Sequence, residues 1–311
     1  MSGLLESQTE AFVTAPAAYV AGRRLARNWS VRIGGAVFSV VALAAVCAPW
    51  LGVVDPTFID AANRDLLPGA SGMVPVPAGQ PVKHTFWMGA DSYGRDIYSR
   101  VLYGGRVSLV VGSTVALLSV AFGVAFGMVT GYARSVDRVL MRLMDGVMAI
   151  PGILLALTLV AIWHASLWTV VLAITLTEIP RVVRLVRSAV LSIREEPYIE
   201  AAISVGTPTL TILYRHILPN TIAPLIVQGT YVFAFAMMVE ASLSFLGVGL
   251  PADLPTWGNM MAEGRLQFIQ YPHGVLFPGL VLACTVLSVN MLGDGLRDTL
   301  DPRFSKRGDP R

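Results

Sequence analysis

The sequence predicts an all-α membrane protein with six transmembrane helices and both termini on the same side. Three observations carry this prediction. Hydrophobic residues make up 54% of the 311 residues and charged residues only 14%, whereas soluble domains carry about a quarter charged residues. Apolar runs of about 20 residues, the length that crosses a bilayer core of roughly 30 Å, recur six times. The basic residues between those runs gather on alternate connections, as the positive-inside rule requires.

The elements follow in order. Residues 1–30 read as a cytoplasmic N-terminal tail. "VRIGGAVFSVVALAAVCAPWL" supplies the first span, 31–51, and residues 52–106 an extracytoplasmic loop. "VSLVVGSTVALLSVAFGVAFGMVTGY" supplies the second span, 107–132, and "VLMRLMDGVMAIPGILLALTLVAIW" the third, 139–163. "LWTVVLAITLTEIPRVV" supplies the fourth, 167–183, continuing as a polar helix. "TIAPLIVQGTYVFAFAMMVEASLSFLG" supplies the fifth, 221–247, and "GVLFPGLVLACTVLSVNMLGDGL" the sixth, 274–296. Residues 107–296 therefore form a core of five spans, and 297–311 a cytoplasmic C-terminal tail.

Arginine placement orients the bundle. Arg23, Arg24, Arg27, Arg32, Arg134, Arg138, Arg142, Arg181, Arg184, Arg187, Arg194 and Arg215 fall on one side with the C-terminal basic residues. The other side has five basic residues spread over 52–106, with Arg106 close to the second span, and Arg265. Both termini are expected to be cytoplasmic, in a multi-pass membrane protein. The net charge of +3 then reflects topology, and no nucleic-acid partner is expected. Cys47 and Cys284 lie inside apolar runs and read as small buried hydrophobes, not a disulfide.

Within the spans, Ser119, Gly123, Gly127 and Gly131 recur every four residues, a spacing that lets helix backbones approach closely in lipid. Packing inside the bundle, a subunit interface and a moving pore helix all fit this stripe. Pro151, Pro224 and Pro278 fall within spans, as static kinks or as hinges. Intramembrane carboxylates default to functional hypotheses. Asp145 and Glu178 are expected to pair with arginines such as Arg142 and Arg181. Glu240, with Ser242 beside it, is a candidate for the translocation pathway, against an inter-helix hydrogen bond or a subunit contact.

Residues 89–106 are amphipathic, with Ile97, Val101 and Leu102 on one side, and are expected to form an interfacial helix. That segment and the 248–273 loop with Trp257 are candidate docking sites for an extracytoplasmic partner or, equally, caps on the bundle.

The stretch "EPYIEAAISVGTPTLTILYRHILPN", Glu196 to Asn220, interrupts the apolar pattern between the fourth and fifth spans. Tyr198, Ala201, Ala202 and Val205 fall at i, i+3, i+4 and i+7, one face of a short helix. Pro197 suits its first turn and Gly206 its left-handed cap. Thr207 then reads as an N-cap and Pro208 as the start of a second helix carrying Leu210, Leu213, Tyr214 and Ile217, which Pro219 ends. Helices this short are unstable alone in water, so the pair must dock, either on its own bundle or in a partner.

This stretch resembles the EAA loop of ATP-binding-cassette importer permeases: Glu200, Ala201, Ala202 and Gly206 match the pattern, and Ile217-Leu218-Pro219 compresses its Ile-x-Leu-Pro ending. "MGADSYGRDIYSRVLYGGRVSLVVG", "DGVMAIPGILLAL", "EASLSFLGVG", "PTWGNM" and "GDGLRDTLDPR" resemble the second permease subunit of dipeptide and oligopeptide systems, with Ala90 in place of the usual Thr. The similarity runs in order from about residue 30 to 304. It implies the type I importer permease fold, a cytoplasmic coupling helix at about 194–217, a homologous permease as heterodimer partner, two cytoplasmic ATPases and an extracytoplasmic substrate-binding protein. It also implies a dipeptide or oligopeptide cargo, with nickel, glutathione or antimicrobial peptides carried by similar permeases.

No G-x-x-x-x-G-K-[ST] occurs in the chain, so ATP and its magnesium are expected on partner subunits and no cofactor on this chain. His84, His164, His216 and His273 are scattered over different loops and make no expected metal set. No catalytic constellation is visible, and the chain is expected not to be an enzyme. An ion-coupled secondary transporter would instead place paired carboxylates centrally in the membrane; here the carboxylates are scattered.

Overall fold

A computed structural model describes residues 27–51, 53–75 and 80–300, leaving most of both expected tails outside the described residues. Asn28 caps α1 (Trp29–Val46) by accepting from the Ser30 amide. A two-stranded antiparallel sheet follows, β1 (Ala70–Val74) against β2 (Val82–Phe86). This hairpin corrects the purely α expectation for the 52–106 loop; its strands close over Val54, Leu66 and Ala90.

Asp96 caps α2 (Ile97–Tyr132), accepting from the Ser99 amide. At 1.5 Å per residue its 36 residues extend about 54 Å, far more than the bilayer core. Residues 97–106 are therefore the outward extension of the second span rather than a separate interfacial helix. Ile97, Arg100 and Val101 are buried there.

The third span is also corrected. It is two helices, α3 (Arg134–Met148) and α4 (Gly152–Trp163), bent by 87°. Pro151 at the break supplies no amide hydrogen to carry a helix through. Contacts with α5 (Leu167–Arg194) trace the path inward: Asp137 meets Arg187, Met144 packs on Ile179 and Val183, and Gly152 lies beside Thr177.

Two short helices, α6 (Pro197–Ser204) and α7 (Thr209–Ile212), lead through a π-helical segment (Leu213–Ile217) into α8 (Leu218–Phe245). α9 (Trp257–Gly264) and α10 (His273–Leu300) complete the chain. Among the described residues, four helices are long and apolar enough to cross a membrane alone, and the bent α3–α4 pair meets that length and composition only when its two helices are taken together. α5 lacks a continuous apolar run because Glu178, Arg181 and Arg184 interrupt it, yet Val170, Ala173, Ile174, Val182, Val183, Val186 and Val190 are buried against its neighbours. It runs the length of the bundle beside α2.

That seam explains the small-residue stripe. A Cβ on Gly127 would lie 2.5 Å from Val186 Cβ, and one on Gly131 2.5 Å from Val190 Cβ. Gly123 faces Val182 in the same way, and Ser119 is fully buried. Three glycines on α2 thus receive three valines on α5, one turn apart; the stripe is internal packing. A second tight seam joins α1 to α10, where a Cβ on Gly34 would sit 3.0 Å from Met291 Cβ. Cys47 and Cys284 are free thiols, but neither is buried as expected: Cys47 is half-buried and Cys284 exposed.

The helices define two ends. One gathers Trp29, Tyr132, Arg134, Arg194, the α6–α7 pair and Leu300; it is arginine-rich. The other carries the hairpin, α9 and an ion cluster. In that cluster Arg100 donates to Asp91 (2.5 Å) and Glu263 (2.9 Å), and Arg95 to the same two carboxylates (2.7 and 2.5 Å). Trp257 is buried, donating its indole N–H to the Val101 carbonyl (2.9 Å) and packing on Gly105. Trp257, Ile97 and Val101 therefore cap the bundle and leave no apolar docking face of their own.

Candidate functional site

At the arginine-rich end, α6 and α7 form an elbow around Gly206. Pro197 occupies the first turn of α6, as expected. Gly206 adopts φ +78°, and the two bonds of a Schellman cap are present: Thr207 N–H to Ala202 O (3.0 Å) and Gly206 N–H to Ile203 O (2.9 Å). Two local expectations are corrected. Pro208, not Thr207, holds the N-cap position of α7, without a side-chain bond. Pro219 does not end the second helix: the chain stays helical from Thr209 to Phe245, and the bond Pro219 cannot donate coincides with the π-helical turn Leu213–Ile217 just before it.

The elbow docks on the bundle through Ile199, Ile212 and Ile217, all buried. Tyr132 at the end of α2 meets Thr209, hydroxyl to hydroxyl at 3.1 Å. Asn220 donates to His216 O (2.6 Å) and reaches the Tyr198 hydroxyl (3.4 Å). This anchor uses a face different from the expected Tyr198–Ala201–Ala202–Val205 stripe, of which only Ala202 is half-buried. Apolar residues at nearly every position of "YIEAAISV" made the two faces indistinguishable by periodicity, so Ile199 and Ile212 were missed.

The other face is open. Val205 is 82% exposed, and Tyr214 (69%), Leu210 (68%), Ile203 and Tyr198 join it. Glu200, Ala201, Gly206 and Pro219 are exposed with them, Leu213 is half-buried, and Ile217 belongs to the anchor. A Cβ at Gly206 would meet nothing within 4 Å. Five large apolar side chains thus stand exposed on the elbow, together with the carboxylates of Glu196 and Glu200.

The intramembrane carboxylates lie apart from the elbow. Glu178 accepts both bonds of Arg181 (2.9 and 3.2 Å), as expected, but Asp145 pairs with Arg184 (2.5 Å) rather than Arg142. Glu240 is wholly buried; it accepts from Ser244 (3.0 Å) on its own helix and Ser108 (3.5 Å) on α2. Its contact with Ser108 is an inter-helix one, linking α8 to α2. Ser242 is half-buried and donates to Met238 O on its own helix.

The family described as binding-protein-dependent transport system inner membrane component matches residues 120–306, a stretch that contains the elbow and the α2–α5 seam. The chain belongs to that family. This inner-membrane component is 43% identical over 286 residues to a putative peptide transport system permease of Brucella abortus, covering 92% of each chain. It is 46% identical over 220 residues to a dipeptide transport system permease of Alkalihalophilus pseudofirmus, covering 70% of this chain and 72% of the relative. A glutathione transport system permease of Pectobacterium atrosepticum is 43% identical over 219 residues, covering 70% and 73%. A chain of the MetNI methionine ABC transporter, solved in inward-facing conformations, shares the fold with a TM-score of 0.54 at 17% identity; the match covers 65% of this inner-membrane component and 96% of that chain. The fold is that of an ABC importer permease.

Proposed function

We propose that this inner-membrane component is one permease subunit of an ATP-driven importer of dipeptides or oligopeptides. Its arginine-rich end and both termini face the cytoplasm. The elbow around Gly206 seats in a cytoplasmic ATPase, a homologous permease completes the translocation pathway, and an extracytoplasmic binding protein delivers cargo to the hairpin end. ATP and magnesium belong to the ATPases; this chain performs no bond chemistry. The observation that carries the reading is the elbow's exposed face, at the end the positive-inside rule makes cytoplasmic. Such a face is a docking surface in search of a partner. Peptide cargo is supported by the peptide and dipeptide transport permeases that match this chain over most of its length. Glutathione is the second reading, favoured by the Pectobacterium relative.

Cells carrying the complete system are assayed for uptake of labelled dipeptides, oligopeptides and glutathione, with Gly206→Glu and Glu200→Lys beside the parent. Both variants are expected to reach the membrane at normal levels, lose uptake and lose the co-purifying ATPase. Normal uptake and ATPase retention in both would refute the coupling role; uptake of glutathione alone would replace the cargo.

A further inference from the structure

The bend between α3 and α4 opens a groove of about 950 Å³ at the arginine-rich end, bounded by α3, α4 and α5. Its mouth carries Arg138 and Arg142, one helical turn apart. Its walls are Val139 and Leu143 on α3, Leu155 on α4 and Leu176 on α5. Val139 is 74% exposed and Leu143 60%. Gly146 keeps the floor open, since a Cβ there would meet nothing within 4 Å.

The charges separate these two arginines from their neighbours. On α5, Arg181, Arg184 and Arg187 are neutralised by Glu178, Asp145 and Asp137. Among the described residues, no carboxylate lies within ion-pair distance of Arg138 or Arg142. Asp145, one turn from Arg142, is already held by Arg184. The groove also has a direction. Its mouth is level with Arg184 and Arg187, where charged side chains meet water; Leu176 lies two helical turns deeper along α5, within the apolar part of the bundle. Unpaired cations above an open apolar slot match a molecule with an anionic head and a hydrocarbon tail, and basic pockets between spans are suited to such headgroups.

We propose that this groove binds an anionic phospholipid of the bilayer, its phosphate bridged by Arg138 and Arg142 and an acyl chain lying along Val139, Leu143, Leu155 and Leu176. The lipid then fills the cleft that the 87° break leaves, and holds α3 against α5.

The test uses the full-length chain purified with its co-purifying subunits in mild detergent, titrated with phosphatidylglycerol or phosphatidylethanolamine while bound lipid is counted by native mass spectrometry. Phosphatidylglycerol is expected to bind preferentially. Arg138→Gln with Arg142→Gln should weaken it by about 25-fold, roughly fivefold for each charge at an anionic surface, without altering phosphatidylethanolamine binding. Arg138→Lys with Arg142→Lys keeps both charges and should stay within about threefold of the parent, which separates lost charge from lost folding. Equal binding of the two lipids by the parent, or undiminished phosphatidylglycerol on the double Gln variant, would overturn the proposal. Two further results would also overturn it: displacement of the lipid by millimolar inorganic phosphate, or quantitative cross-linking of Val139→Cys to another subunit, which would assign the groove to a protein contact. Lipid retention is read without cargo or ATP, so it stands or fails separately from the transport reading.

Discussion

Replacing Gly206 by Asn, Ala or Val probes the elbow most directly. The φ of +78° lies in the left-handed region, where a side chain costs about 1–2 kcal/mol and a β-branched one more, while Asn is better tolerated than Ala. Because a Cβ there meets nothing within 4 Å, none of this cost comes from a clash. The expected order of damage is therefore Asn, then Ala, then Val, set by backbone conformation alone. A cost of about 1 kcal/mol for Ala, falling on the docked shape of the elbow, corresponds to about fivefold weaker association with the ATPase. The thermal transition of the purified chain should barely move, since the elbow's Ile199, Ile212 and Ile217 anchor is untouched. Binding of the ATPase to each variant in nanodiscs, measured beside a melting curve, checks both parts. Equal affinity for all three variants would refute the reasoning, as would a drop in melting temperature that tracks the loss of binding.

Other sites give separable outcomes. Gly127→Leu drives a side chain into Val183 and Val186 and should destabilise the α2–α5 seam by at least 1–3 kcal/mol, seen as a lower melting temperature in detergent. Arg100→Met leaves Asp91 and Glu263 to share Arg95 and should cost about 3–5 kcal/mol by the same measurement, with no direct effect on ATPase binding. Trp257→Phe keeps most of the packing but removes the indole donor from the Val101 carbonyl, which retains its bond within α2, costing about 0.5–1.5 kcal/mol. Arg187 and Asp137 form a partly exposed ion pair between α5 and α3 (2.5 Å), so Asp137→Asn should cost under about 1 kcal/mol in the same melting measurement.

Much of this was legible because lipid imposes simple rules on sequence. Apolar length marked the spans, and arginine counts marked the ends. Four-residue spacing marked the glycine face of α2, although only the structure shows that Val182, Val186 and Val190 fill it. The turn at Gly206 was legible because proline and glycine fix backbone angles locally. What escaped depends on distance or on context. Glu263 is more than 160 residues from Arg95 and Arg100 in sequence, and no local pattern announces their cluster. Pro151 and Pro278 both interrupt apolar runs, yet only the first breaks its helix sharply, while α10 continues through Pro278. Neighbouring helices decide which freed carbonyls are satisfied, and neighbours are not written in the run itself. The amphipathic pattern of residues 97–106 was likewise ambiguous: α9 and the ion cluster bury one side of it, and the helix runs on unbroken into the second span.

On the coupling reading, the elbow must carry enough energy to switch the bundle. Moving a two-state equilibrium from 1:99 to 99:1 requires about 5.5 kcal/mol of differential binding. Fully burying one large apolar side chain contributes about 1.5–3 kcal/mol. Two to four of the five exposed residues (Tyr198, Ile203, Val205, Leu210 and Tyr214) are therefore sufficient if they are covered in one state and not in the other. Energy delivered there has three routes into the membrane: Ile199 onto the core beside α5, the Tyr132–Thr209 contact onto α2, and the continuous helix into α8. The first two reach the α2–α5 seam, where valines locked into glycine positions make relative sliding costly, so α2 and α5 should move as one body. The route into α8 passes through the π-helical segment Leu213–Ile217, where the hydrogen-bond register is already irregular. That segment is the place where α8 can bend away from the α2–α5 pair without breaking either one. Beyond it, Glu240 ties α8 back to Ser108 on α2, so the swing has its free end at the elbow and its fixed end at the ion-cluster side of the membrane.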